Sequence, residues 1–216
     1  MYQNFSVLKM TSYKERLRRL RVELKRHSID GFLIPRADLF QNEYIEPCEA
    51  RLEWITGFTG SAGLCLVTLK SAFLFVDGRY TIQVEKETDR NLFTIIQSSK
   101  HSFKNWFYKY CKKQTIGYDP WLHTISEINE LTSGDCIKKY MKSCENLVDL
   151  IWDERPQPGP QFLEVHRKKF SGASSKAKRC LIAESINENK ADAVILTKPD
   201  SICWLLNIRG KDIIHT

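Results

Sequence analysis

Ile55-Thr56-Gly57-Phe58-Thr59-Gly60-Ser61-Ala62-Gly63 and, a little further on, Val76-Asp77-Gly78-Arg79-Tyr80 decide the reading of this chain. Glycines at spacing three allow backbone conformations and close approaches that a side chain would block. The glycine segment runs directly into an apolar strand, Leu64 to Leu69. A second strand, Ala72 to Val76, ends on the turn-prone pair Asp77-Gly78, which delivers Arg79 to the tip. A glycine-lined loop beside a strand-end arginine reads as a ligand surface.

On either side of this pair the pattern alternates. Upstream, Leu17, Leu20 and Leu24 recur at helical spacing within a helix over 12–27. Asp30-Gly31 turns the chain into a short strand, Phe32 to Ile34, stopped by Pro35. A polar loop, Arg36 to Cys48, leads to a short helix over 49–55. Downstream, 80–86 reads helical, 92–96 a strand, 103–112 a helix with Phe103, Trp106, Phe107 and Tyr110 on one face, 115–118 a strand and 126–132 a helix. Helices and strands alternating in this way imply an α/β fold, a mixed β-sheet flanked by helices.

Pro156, Pro158 and Pro160 fall within five residues and cannot continue a helix or an interior strand. They mark a domain boundary. Beyond it, 174–188 reads as a helix, Ala193 to Leu196 as a strand and 201–207 as a short helix. This second half echoes the first. Ile29-Asp30-Gly31-Phe32-Leu33-Ile34-Pro35 is answered by Ala191-Asp192-Ala193-Val194-Ile195-Leu196-Thr197, at an offset of 192 − 30 = 162 residues. Trp54-Ile55 is answered by Trp204-Leu205. The expected organisation is an N-terminal extension (1–11), domain I (12–150), a Pro-rich linker (151–170) and the start of a similar domain II (171–216) that is cut short.

A chain of 216 residues with 42% hydrophobic content can bury a core. No apolar run reaches the roughly 20 residues that span a bilayer, and no secretory signal is visible, so no membrane partner is expected. Seven cysteines form no C-x-x-C pair, and Cys65 and Cys203 sit in apolar runs as buried thiols do. A reducing compartment, the cytoplasm, follows as the expectation. The net charge of +7 is concentrated at Lys14 to Arg26 and Arg167 to Arg179. In the first run the leucine stripe leaves the charges on a solvated face, and no nucleic-acid motif accompanies them. No nucleic-acid partner is expected.

The glycines do not make a dinucleotide fingerprint, because the loop precedes a strand instead of following one. Thr59 stands where a nucleophile elbow around Ser61 would need its first glycine, so Ser61 is not read as catalytic. His27, His101, His123, His166 and His215 are isolated, and no ligand pair for a metal emerges. Glu43, Glu46, Glu49 and Glu53 read as a solvated helical face. Arg79 has two readings, a structural salt bridge at a strand end or bidentate contact with a carboxylate or backbone carbonyls.

Five segments in order give the chain a resemblance. Asn42-Glu43-Tyr44-Ile45, Ile55 through Gly63, Asp77-Gly78-Arg79-Tyr80, Asn146 through Pro156, and Trp204-Leu205-Leu206-Asn207-Ile208-Arg209-Gly210 together resemble the N-terminal region of Xaa-Pro aminopeptidases of the creatinase/prolidase superfamily, in their long three-domain form. The resemblance implies two N-terminal domains with a ribonuclease-H-like motif before a catalytic domain. That catalytic domain holds two divalent metals, expected to be manganese, and releases the residue preceding proline. None of its ligands can be placed on this sequence, so no catalytic residue and no metal or other cofactor is expected within this chain. By the same resemblance, domain I shapes the active-site cleft. Arg79 would touch substrate, Gly57, Phe58, Gly60, Ser61 and Gly63 would form a cleft loop, the substrate would carry proline at its second position, and the complete protein would be a homodimer. The competing expectation is a stand-alone peptide- or partner-binding product of a split or decayed gene.

Overall fold

The computed structural model describes residues 11–98, 103–111, 113–132, 140–159, 162–211 and 213. Most of the expected N-terminal extension, together with His101, Cys136, Pro160 and His215, lies outside them. The chain divides into two compact units, one of residues 1–36 with 51–154, the other of 37–50 with 155–216.

In the first unit, α1 spans Tyr13–Arg26, β1 Gly31–Pro35, α2 Arg51–Thr56, β2 Gly63–Thr68, β3 Ala72–Val76, α3 Thr81–Glu87, β4 Thr94–Gln97, α4 Phe103–Tyr110, β5 Ile116–Tyr118, α5 Ile125–Thr132 and β6 Met141–Ser143. The strands form one sheet in the order β4-β3-β2-β1-β5-β6. β2 runs antiparallel to both β1 and β3, while the β3–β4, β1–β5 and β5–β6 pairs are parallel. The mixed sheet follows from the connections. The short β2–β3 turn forces antiparallel pairing, whereas parallel neighbours need the longer crossovers that α3 and α4 accompany.

Side chains alternate across this sheet with period two. Phe32, Ile34, Cys65 and Val67 join one buried cluster with Leu17, Leu20 and Leu24 of α1 and Leu52 and Ile55 of α2. Leu33, Leu66 and Phe75 join the other with Phe107 of α4 and Ile116. β1 therefore lies at the centre, covered on both faces, which is why its sequence is apolar without alternation. Over the second face Phe75 meets Phe103 edge-on at 4.8 Å and Trp106 at 5.0 Å. The chain after β6 returns to the first face, where Trp152 stacks on Trp54 at 5.2 Å and Asp149 pairs with the buried Arg51.

The second unit holds β7 (Leu163–Val165), α6 (Lys168–Ser171), α7 (Ser175–Glu188), α8 (Pro199–Leu206) and β8 (Ile208–Gly210), with β7 and β8 antiparallel. β7 and the first residues of α6 fall inside the span 151–170. Its other piece, 37–50, is not a helical face. Only Pro47–Glu49 makes a 3-10 turn, and Glu49 is half-buried against Arg155 at 3.0 Å while Glu46 accepts from the Gly159 amide. The solvated reading is corrected for Glu46 and Glu49 by those two contacts, while Glu43 and Glu53 are exposed as expected.

Two further expectations are corrected here. Ala193 to Leu196 is not a strand, because no neighbouring strand hydrogen-bonds to it among the described residues, and sequence preference alone does not make a ladder. Cys203 is only half-buried, since its neighbours Trp204 and Leu206 on α8 are exposed. Cys65 is fully buried as expected, and burial pushes its thiol far up. Cys111 is pushed up to about 11 by the same cause.

Candidate functional site

The turn after β3 is built by Asp77. Its carboxylate caps a 3-10 turn, Gly78–Tyr80, accepting from the Arg79 amide at 2.8 Å. The same carboxylate accepts from the Arg79 side chain, Nη2 at 2.7 Å and Nε at 3.1 Å to Oδ2. Hydrogen bonding from that guanidinium, chiefly, holds the Asp77 carboxyl below its ordinary value. Arg79 nonetheless stays 69% exposed, its guanidinium carbon 5.2 Å from the Tyr80 ring centre. Local pairing through Nε and Nη2 fixes the direction of the arginine, whose side chain is mostly exposed. The first reading of Arg79, an ion pair at a strand end, is present in this geometry.

The glycine loop is held by what lies beneath it. Phe58 is buried in the core, and its ring occupies the space that a Cβ at Gly60 would need. A Cβ at Gly63 would sit 3.1 Å from the same ring. Gly57 has φ +83°, and a Cβ there would approach the Glu87 carbonyl to 2.8 Å. The spacing of the glycines is therefore the footprint of one aromatic ring and one helix end. Of the five loop residues named from sequence, Phe58 points inward and supports the others, and Ser61 is exposed.

Loop and turn form one surface. The Ser61 hydroxyl meets the Tyr80 hydroxyl at 2.6 Å, and Tyr80 packs edge-on against Phe58 at 5.5 Å. Thr59 donates to Glu87 from its amide at 2.9 Å and from its hydroxyl at 2.8 Å, while Gln83 bridges the two. Partial burial works to raise the Glu87 carboxyl, but the bonds from Thr59 and Gln83 outweigh it and leave the group below its ordinary value. The sequence reading missed Gln83 and Glu87. Their spacing of four on α3 places both on the face toward the loop, and that spacing was the available signal.

Chemically, the surface offers a guanidinium ion-paired to Asp77, two hydroxyls in contact and a charged carboxylate, Glu87, held by Thr59 and Gln83. Ser61 meets a phenol and not a base, an arrangement for binding and not for nucleophilic attack. Among the described residues, no three His, Cys, Asp or Glu side chains cluster to hold a metal.

Residues 16–151 match the Creatinase/Prolidase N-terminal domain family model, and residues 154–216 match a second model of the same description. A probable Xaa-Pro aminopeptidase P from Laccaria bicolor is 38% identical over 209 residues, covering 92% of this chain and 32% of that protein. Its counterpart from Aspergillus flavus is 36% identical over the same share of this chain and 31% of its own. The crystal structure of X-prolyl aminopeptidase from Caenorhabditis elegans, described as a cytosolic enzyme with a di-nuclear active site, superposes with a TM-score of 0.82 at 27% identity. That match covers 94% of this chain and 36% of the other. The chain thus spans about a third of the length of the proteins it resembles.

Proposed function

Because this chain belongs to the creatinase/prolidase N-terminal domain family, we propose that it serves as the N-terminal, non-catalytic region of a cytoplasmic dimetal Xaa-Pro aminopeptidase. The observation that carries the reading is the superposition of 94% of the chain on the C. elegans enzyme, over both units of the fold. In this reading 12–150 is domain I, 151–170 the linker and 171–216 the first part of domain II. The catalytic domain, lying outside this chain, holds two divalent metals, manganese in our proposal. Peptides with proline at the second position are the substrates, and the complete protein is a homodimer.

The residues of this chain would bind and orient. Arg79, aimed by Asp77, presents paired N–H donors to a substrate carbonyl or carboxylate, the geometry for which a guanidinium is suited. Gly57 through Gly63 would form one wall of the cleft, with backbone close to the ligand because no side chain intervenes. Tyr80 and Ser61 keep that wall in register with the arginine.

The test is peptide hydrolysis with manganese supplied. Purified residues 1–216 should release nothing from a peptide with proline at its second position. The same sequence joined to the catalytic portion of a relative should release the residue before proline. Hydrolysis by 1–216 alone, or its absence in a folded, metal-loaded longer protein, would overturn the proposal.

A further inference from the structure

α1 carries two stripes. Leu17, Leu20 and Leu24 face the core and are buried. Lys14, Arg18, Arg21 and Lys25 recur at steps of four, three and four along another face, which is the helical period. Between that face and the turn after β2 lies a groove of about 560 Å³, built within the first unit alone. All four cations line it, together with Val22 and Leu69.

The walls of the groove are tied together. Arg21 donates from Nε to the Thr68 carbonyl at 3.0 Å, which fastens the helix to the turn. The turn closes on itself, the Thr68 amide donating to the Ser71 carbonyl at 2.8 Å and the Ser71 amide to the Thr68 hydroxyl at 3.0 Å. The Leu69 amide donates to the Asp30 carbonyl at 3.1 Å, while its side chain stays 36% exposed. Val22, on the helix, is exposed to the same degree. A surface set in advance by such bonds loses little freedom when it is occupied. Its charge is unbalanced. Glu15 also lines the groove, but Arg18 already donates to it from Nε at 2.7 Å and Nη2 at 2.6 Å. Arg21 spends its Nε on a neutral carbonyl, and neither Lys14 nor Lys25 makes an ion pair with a described residue. Four cations thus face a single carboxylate across a partly apolar floor.

We infer that this groove is a docking surface for an acidic helical segment of a partner protein, with carboxylates at steps of three and four and an aliphatic side chain beside them. The floor at Val22 and Leu69 takes the aliphatic side chain. The basic stripe pairs with carboxylates repeating at its own period, and the complementary charge sets the register of the partner. From Lys14 to Lys25 the helix rises about 16 Å, room for about three turns of a helix laid alongside. Two other anionic surfaces fit less well. A lipid surface is too flat to reach the apolar floor of a concave site, and no aromatic side chain lines the groove to stack a nucleic-acid base. The groove shares no residue with the glycine loop or the Arg79 turn, so its occupancy is independent of the proposed function.

The probe is a capped, fluorescein-labelled peptide of roughly 15 residues, long enough to hold a helix, with glutamates at steps of three and four and leucines next to them. Fluorescence anisotropy measures its binding to residues 1–216. Lys14→Gln with Lys25→Gln should weaken binding roughly tenfold. Lys176→Gln with Arg179→Gln on α7 removes the same charge from another exposed helix face and should change it by less than about twofold. Leu69→Ser should weaken binding several-fold even at high salt, where the charges are screened. All five positions are exposed, and an unmoved denaturation midpoint confirms that each variant is folded.

Undetectable binding of the peptide would overturn the inference. Equal weakening by the two charge-removing pairs would also overturn it, because attraction would then follow net charge and not the groove. Vesicles containing phosphatidylserine and a single-stranded oligonucleotide are assayed in parallel. Binding of either one through Lys14 and Lys25, with the peptide left free, would overturn the acidic helix in favour of that surface.

Discussion

The hydroxyls of Ser61 and Tyr80 meet at 2.6 Å, and this contact joins the glycine loop to the turn that carries Arg79. Nineteen residues separate the two in sequence, and the bond adds a side-chain tie to the backbone pairing of Gly63 with Val76 between β2 and β3. Tyr80→Phe keeps the ring against Phe58 and deletes only the hydroxyl. It should lower stability by about 0.5–1.5 kcal/mol, the usual worth of one such bond. Chemical denaturation of residues 1–216 measures it, and a loss several times larger would show that the phenol does more.

Arg79→Ala separates the two readings of that arginine. An exposed ion pair contributes about 0–1 kcal/mol, so denaturation midpoints of residues 1–216 should barely move. In a complete, active protein the same change should raise KM or lower kcat. Unchanged kinetics with a clear loss of stability would assign Arg79 to structure alone.

Adding a single methyl group distinguishes the glycines. Gly60→Ala drives a Cβ into the buried Phe58 ring and should cost about 1–3 kcal/mol. Gly78→Ala meets nothing within 4 Å and should stay within about 0.5 kcal/mol of the parent. Thermal unfolding of the two variants side by side checks both, and equal effects would contradict the described loop.

Glu87 gives the loop a pH dependence of known sign. Its folded value lies below the ordinary one, so the folded state holds the proton less tightly than the unfolded state. Its contribution is complete above the ordinary glutamate value of 4.5 and drains away as the pH falls through the lower folded value. Glu87→Gln should flatten that acid limb of the stability curve. The readout is the denaturation midpoint against pH between neutrality and acid, and an unchanged limb in the variant would remove Glu87 from the account.

Leu20→Ala tests the core that supports these features. Leu20 is fully buried between α1 and the sheet, and its truncation should cost about 2–5 kcal/mol. A loss below about 1 kcal/mol would mean that α1 packs less closely than described.

What the sequence revealed of this fold follows from how locally each feature is encoded. The stripe Leu17, Leu20, Leu24 with Ser12 ahead of it marks α1 without reference to any other element. Phe32 to Ile34 marks β1 because a strand covered on both faces needs no polar alternation. β6 is another matter. Its residues, Met141 to Ser143, are partly exposed and show no period, and only pairing with β5 makes them a strand. Ala193 to Leu196 fails in the opposite sense, carrying the composition of β1 without a paired strand among the described residues. In the candidate site, the spacing of Gly57, Gly60 and Gly63 was legible but its cause was not. Nothing local says that Phe58 turns inward beneath the loop that exposes Ser61, or that Glu87 reaches back across α3 to Thr59.

The second unit is assembled from two separate stretches of chain, and this has a bearing on its synthesis. Arg155 donates to the Cys48 carbonyl across 107 residues, and the Gly159 amide reaches Glu46 across 113. At roughly 5–20 residues per second on the ribosome, residues 37–50 emerge about 5–20 s before those partners exist. α1, the sheet and α4 have that interval in which to close. Residues 37–50 are looped out from between β1 and α2 throughout it, a long closure whose entropic cost grows only slowly with its length. The six strands of the first unit's sheet have thereby all been made before Arg155 and Gly159, the residues that fasten the early segment.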